Sequence, residues 1–177
     1  MSDFSAANAL IERHARRVPD FPTTGVEFID LTPVLADSEA FDCVIDALGG
    51  EWSDIDLVAG LDARGFLLGA AVAMHLNTGV LAIRKAGKLP PPVFSRTYQL
   101  EYGEATLEIP AEGVELAGKR VLVVDDVLAT GGTVAAAVEL LGEAGAEVAG
   151  ISVVLEVPGL GGRDKLVGHN VRCLSAG

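Results

Sequence analysis

The segment Val121–Thr133, VLVVDDVLATGGT, decides the fold. An apolar run ends in two adjacent carboxylates, Asp125 and Asp126. Ala129, Thr130, Gly131, Gly132 and Thr133 then open a helix expected over 133–143. A strand without polar alternation is one buried on both faces, as in a parallel sheet. The glycines let backbone N–H groups come close to an anion. Successive N–H groups at a helix N-terminus favour phosphate. The Thr130 and Thr133 hydroxyls add donors. An exposed helix terminus alone contributes only about 0.3–1 kcal/mol, so hydrogen bonds must supply most of the binding. Carboxylates beside such a cradle repel the anion unless they face something else. Ribose hydroxyls fit, as does a magnesium ion bridging to the substrate. The loop therefore predicts a sugar phosphate, with its phosphate on 130–133 and its diol on 125–126. No lysine follows the glycines and no G-x-G-x-x-G is present, which excludes a Walker A loop and a dinucleotide fingerprint.

Outward from this loop, short apolar strands alternate with helices. Strands are expected at 57–60, 80–84, 120–124 and 148–157, with a short last one at 171–174. Helices are expected at 5–17, 38–48, 64–76 and 133–143. Residues 85–96, with Gly87 and Pro90–Pro92, read as a loop. Segments 97–102 and 105–109 read as a hairpin or flap. The pattern predicts an α/β fold, a twisted and mainly parallel sheet with helices on both faces. Ligands of such sheets sit beyond the carboxyl ends of the strands. Asp62, Arg64, Arg84, Lys85, Asp125, Asp126 and Glu156 all fall at that edge.

The chain has 177 residues, 13 Lys plus Arg and 25 Asp plus Glu, for a net charge of −12. A sequence pI near 4.5 argues against general nucleic-acid or anionic-membrane binding. Yet residues 63–100 contain no acid and hold five cations: Arg64, Arg84, Lys85, Lys88 and Arg96. An acid-free window in an acidic chain suits a small, highly charged anion. No apolar run is long enough to span a bilayer. The first residues carry no apolar stretch of the secretory type, and Cys43 and Cys173 have no ligand spacing. A cytoplasmic protein is expected. His14, His75 and His169 are scattered, and Trp52 reads as a packing residue.

VLVVDDVLATGGT resembles the phosphoribosyl pyrophosphate motif of the type I phosphoribosyltransferases. PDFPTTGVEFIDLTPVL (19–35), LVAGLDARGFLLG (57–69), IRKAGKLP (83–90), LEYGEATLEI (100–109) and GLGGRDKL (159–166) resemble the adenine phosphoribosyltransferase family in order and spacing. The resemblance implies one phosphoribosyltransferase domain over 1–177. An N-terminal helix and small hood over the base would occupy 1–35, and a flexible loop and flap 85–109. It implies transfer of the 5-phosphoribosyl group from phosphoribosyl pyrophosphate to adenine, giving AMP and pyrophosphate, with Mg²⁺. It also implies a homodimer in which basic loop residues cross the interface, with no nucleic-acid or membrane partner.

Residue by residue, the resemblance assigns the 5′-phosphate to Ala129, Thr130, Gly131, Gly132 and Thr133, and the ribose to Asp125 and Asp126. Pyrophosphate falls to Asp62, Ala63, Arg64, Arg84, Lys85 and Lys88, at a turn often built on a non-proline cis peptide. Glu101 and Arg64 are the implied catalytic residues, Glu101 as acid/base. From the residues alone, Glu101 is an exposed strand position. Glu27, Phe28 and Ile29 correspond to the base site. The chain departs from the family there: Thr24 replaces proline, Glu27 an apolar residue and Ile29 a basic one. Magnesium is expected mainly through substrate, with Asp125 and Asp126 beside it. Two alternatives stay open: the same chemistry on a 6-oxopurine, and a non-catalytic sensor of phosphoribosyl pyrophosphate or nucleotide. No lysine follows the 148–157 strand to read an exocyclic oxygen, which favours adenine.

Overall fold

The structure is a computed structural model and describes residues 3–21, 23–25, 27–99 and 103–176. Its centre is a seven-stranded sheet. β3 (Leu57–Leu61), β4 (Gly79–Lys85), β7 (Arg120–Leu128), β8 (Glu147–Glu156) and β9 (Val171–Ala176) run parallel. β6 (Glu104–Pro110) pairs antiparallel with β4 and with β5 (Val93–Gln99), giving the order β5-β6-β4-β3-β7-β8-β9.

The apolar runs belong to strands covered on both sides. Along β7, Leu122 and Val124 face one core while Val121 and Val123 face the other. This is the two-residue period of a strand with two buried faces. The first core lies under α1 (Asp3–His14), α2 (Thr32–Ala36), α3 (Ser38–Gly49) and α4 (Gly65–His75). The second lies under α5 (Gly132–Glu143) and a 3₁₀ turn, Gly162–Leu166. Asp37 caps α3 by accepting from the Ala40 N–H at 2.9 Å. That bond holds its carboxyl below the usual range.

Three expectations need correction. The first helix ends at His14, not Arg17. Arg16–Pro19 is instead strand β1, antiparallel to β2 (Glu27–Asp30), with Val18 opposite Phe28. Local charge and propensity continue through Arg17, but pairing with a distant strand overrides them. The loop predicted over 85–96 is strand from Val93 onward, because Val93 to Gln99 pair along β6. β7 runs on to Leu128, so the two aspartates lie inside the strand rather than after it. Helix α2 has no counterpart in the sequence reading.

Candidate active site

β7 carries Asp125 and Asp126 to the carboxyl edge of the sheet, where successive residues enter different surroundings. Asp126 is 7% exposed, and its Oδ2 lies 2.6 Å from Arg64 Nε. The pair is electrostatic, since Oδ2 makes no hydrogen bond of normal geometry. Asp125 Oδ1 accepts from the Asp126 backbone N–H at 2.9 Å. Burial, reinforced by the Asp126 charge, pushes the Asp125 carboxyl well above the usual range, against the opposing pull of the Asp126 backbone N–H and the Arg64 charge. Arg64 reaches this position because α4 lies directly on β3 and β7. A Cβ at Gly65 would meet the Val124 carbonyl oxygen at 2.8 Å, and one at Gly69 would meet Gly60 Cα at 3.0 Å.

The next residues form a small polar cavity of about 80 Å³ lined by Asp125, Ala129, Thr130, Gly131, Gly132 and Thr133. Gly131 has φ +75°, and a Cβ there would run into the Gly162 carbonyl oxygen. A glycine is therefore required on two counts. On the flap side, the Tyr98 and Thr133 hydroxyls are 3.1 Å apart. Tyr98 was not singled out in the sequence; only the pairing of β5 brings it here.

The acid-free window divides in space. Arg96 is bound on α5 by Glu139 at 2.5 Å and Glu143 at 2.7 Å, away from the site edge. Arg84 Nε stands 3.9 Å from Asp62 Oδ2, and its guanidinium lies 5.8 Å from the Phe66 ring centre. The Asp62–Ala63 peptide is cis. Lys85 and Lys88 form no ion pair among the described residues. The structure thus gathers Asp62, Ala63, Arg64 and Arg84 at one edge with Asp125 and Asp126.

Beside this cradle, at the same carboxyl end of β7, a larger cavity of about 490 Å³ opens. Glu27, Phe28 and Ile29 of the hood line it with Arg64, and Val127, Leu155, Val157, Pro158 and Leu160 complete its mostly apolar wall. Val127 and Ala129 line both cavities. The Arg64 guanidinium lies 5.8 Å from the Phe28 ring centre, and Phe21 meets Phe28 edge-on at 5.3 Å. Glu27 lines the cavity, but its carboxylate is held by Arg17 at 2.9 Å. The wall at 157–160 escaped the sequence reading, because apolar residues in a loop carry no local sign of a pocket.

Glu101 lies outside the described residues. No cluster of three potential metal ligands occurs among the described residues. Asp126 is engaged by Arg64 and Asp125 is pushed toward its neutral form. That donor set fits a magnesium ion held chiefly by substrate phosphates and water, with one or two carboxylates nearby. Elsewhere, Trp52 Nε1 donates to Ser152 Oγ at 2.8 Å inside the core, and Glu156 accepts from Arg163 Nε at 2.7 Å.

A family model for the phosphoribosyl transferase domain matches residues 44–174. The chain belongs to the phosphoribosyltransferase family. Within it, an adenine phosphoribosyltransferase of Mycolicibacterium smegmatis is 59% identical over 172 residues, covering 97% of this chain and 96% of the relative. The crystal structure of adenine phosphoribosyltransferase from Thermoanaerobacter pseudethanolicus superposes with a TM-score of 0.89 at 44% identity, covering 94% of this chain and 98% of that one. The Saccharomyces cerevisiae enzyme was solved in complex with D-2,5-dideoxy-2,5-imino-altritol 1,6-bisphosphate and adenine. It superposes at 0.89 with 35% identity, over 97% and 99% of the two chains. These relatives are enzymes, and the phosphoribosyltransferase fold of this chain, a mainly parallel sheet with helices on both faces, is theirs.

Proposed function

We propose that this chain transfers the 5-phosphoribosyl group from phosphoribosyl pyrophosphate to adenine, releasing pyrophosphate and forming AMP. One observation carries the reading: an apolar cavity and a polar cradle share Val127 and Ala129 as a common wall. A planar base at one end and a phosphate at the other, joined by a ribose over Asp125 and Asp126, have the form of a nucleoside monophosphate. The adenine bound to the yeast relative supports the choice of base. The absence of a lysine from Val157–Leu160 argues against a 6-oxopurine.

The C1–O bond to pyrophosphate breaks and its electron pair leaves with the diphosphate. The adenine N9 lone pair forms the new bond to C1, and the N9 proton is released. The sugar gains oxocarbenium character on the way, as in glycoside cleavage. Arg64, Arg84, Lys85 and Lys88 meet the growing charge on the departing diphosphate, with Asp62 and Ala63 bordering it. Asp125 and Asp126 accept from the ribose hydroxyls and orient C1. Thr130, Gly131, Gly132 and Thr133 hold the 5′-phosphate. Phe28 packs on the base, and the backbone at 27 and 29 reads its edge. Glu101 takes up the adenine proton, a role that rests on the resemblance of LEYG alone. Asp125 and Asp126 would stand beside a magnesium ion held chiefly by the substrate phosphates, which would supply charge neutralisation to the leaving group.

We read residues 1–177 as one catalytic unit acting in the cytoplasm as a homodimer. Exposed Leu67, Met74 and Val80 on α4 and β4 support self-association, and by the family resemblance Lys85 and Lys88 would then serve the partner's site. The test mixes purified protein, Mg²⁺ and phosphoribosyl pyrophosphate with adenine, hypoxanthine, guanine or xanthine. AMP from adenine alone is expected. Product from a 6-oxopurine would overturn the base assignment, and binding without product from any base would make the chain a sensor.

A further inference from the structure

We propose that Lys165 completes the 5′-phosphate site as its only cation, an inference that rests on the sugar-phosphate reading above. The cradle offers neutral donors, namely backbone N–H groups and two threonine hydroxyls, and the charged residue in its lining is an acid, Asp125. A phosphate dianion there needs a positive charge that none of the cavity-lining residues supplies. Lys165 stands beside the cradle. Its Nζ lies 3.8 Å from where a Gly132 Cβ would be.

The position is built by the fold. Lys165 sits in the 3₁₀ turn Gly162–Leu166, whose last residue is buried in the second core. At its start, Gly162 is pressed against the Ala129 and Gly131 backbone. The turn is therefore fixed to the loop at one end and to the core at the other, with Lys165 between them. Its charge is also unused. Among the described residues, eight lysines and arginines form ion pairs with acids, and Lys165 is not one of them. In so acidic a chain, an unpaired lysine beside a phosphate cradle is placed for an incoming anion.

The experiment compares AMP with adenosine, which differ only in the phosphate, by calorimetry on the full chain. Lys165→Met should weaken AMP about tenfold, the scale of one charge-assisted contact, and leave adenosine unchanged. Lys165→Arg should restore most of the AMP affinity. The wild-type advantage should grow between pH 5.5 and 7.5, as the phosphate loses its second proton near pH 6. AMP affinity within twofold of wild type in Lys165→Met would overturn the proposal and leave the function standing. So would an equal loss for adenosine, which would mean a structural role. A wild-type protein binding AMP no better than adenosine would overturn the proposal and the sugar-phosphate reading together.

Discussion

The two ends of the proposed site, one for phosphate and one for the base, are built in opposite ways. The phosphate end is backbone packed on backbone: Gly131 against Gly162, with β7 buried behind it. The base end is a detached two-stranded sheet, β1 with β2, held by side chains. Arg17 ties β1 to Glu27 on β2 at 2.9 Å and to Glu12 on α1 at 3.2 Å. Glu12 also accepts from Ser175 Oγ at 3.1 Å, which links the hood to the last strand of the main sheet. Close backbone packing leaves one arrangement, whereas solvated ion pairs contribute little each and tolerate exchange. The part of the ligand that never varies meets the fixed end. The part that distinguishes one base from another meets the adjustable one. Glu27 illustrates the second case: a charge at an expected apolar position is absorbed by turning its carboxylate to Arg17.

Substitutions in the two regions should separate sharply. The largest loss is expected from Asp126→Ala, which removes the proposed ribose acceptor and leaves Arg64 without its counter-charge. Turnover per unit of substrate affinity (kcat/KM) should fall on the order of 100-fold or more. Calorimetry with ribose 5-phosphate should show weaker binding; unchanged affinity would contradict the diol assignment. Gly131→Ala comes next. It places a Cβ at positive φ against the Gly162 carbonyl. The expected cost is about 1–3 kcal/mol of stability, with a raised KM for phosphoribosyl pyrophosphate. A normal melting temperature and KM would mean that the loop can move away.

Asp125→Asn should act on stability and binding in opposite senses. Asp125 is held above its unfolded value by burial and by Asp126. Such a carboxyl stabilises the folded chain at pH below the ordinary carboxylate range. It loses that contribution as pH rises through its folded value. The variant should therefore melt higher than wild type at pH 7, with the gap closing toward pH 4, while ribose 5-phosphate binds more weakly. A gap independent of pH would refute the charge argument. The smallest effect belongs to the hood. Arg17→Met should raise KM for adenine a few-fold, less so in high salt, with KM for phosphoribosyl pyrophosphate unchanged, because the Glu12–Arg17–Glu27 pairs are exposed and screened. An equal rise in both would show that the two ends are not separable.

The same contrast explains what could be read in the sequence. The strand, polar cradle and helix of 121–143 were legible because their parts are neighbours: apolar run, acid pair, glycines and threonines follow within one segment. The parallel sheet was legible because a doubly buried strand has no polar alternation. The partners of Asp126 and Thr133 were not, since Arg64 and Tyr98 arrive from other elements. Charge composition grouped Arg96 with the other cations of the acid-free window, and β5 delivers it instead to the glutamates of α5. β1 was hidden because Arg16 and Arg17 extend the polar pattern of a helix, and only pairing with β2 makes them strand.

The segment from Val157 to Gly162 touches both ends: its apolar side chains wall the base cavity, and its last glycine braces the phosphate loop. For anyone redesigning the base preference, this divides the segment into editable and fixed halves. Side chains at 157 and 160 can be exchanged to reshape the pocket. The length of the segment cannot change, because one inserted residue would carry Gly162 away from Gly131 and remove the brace beneath the proposed phosphate cradle.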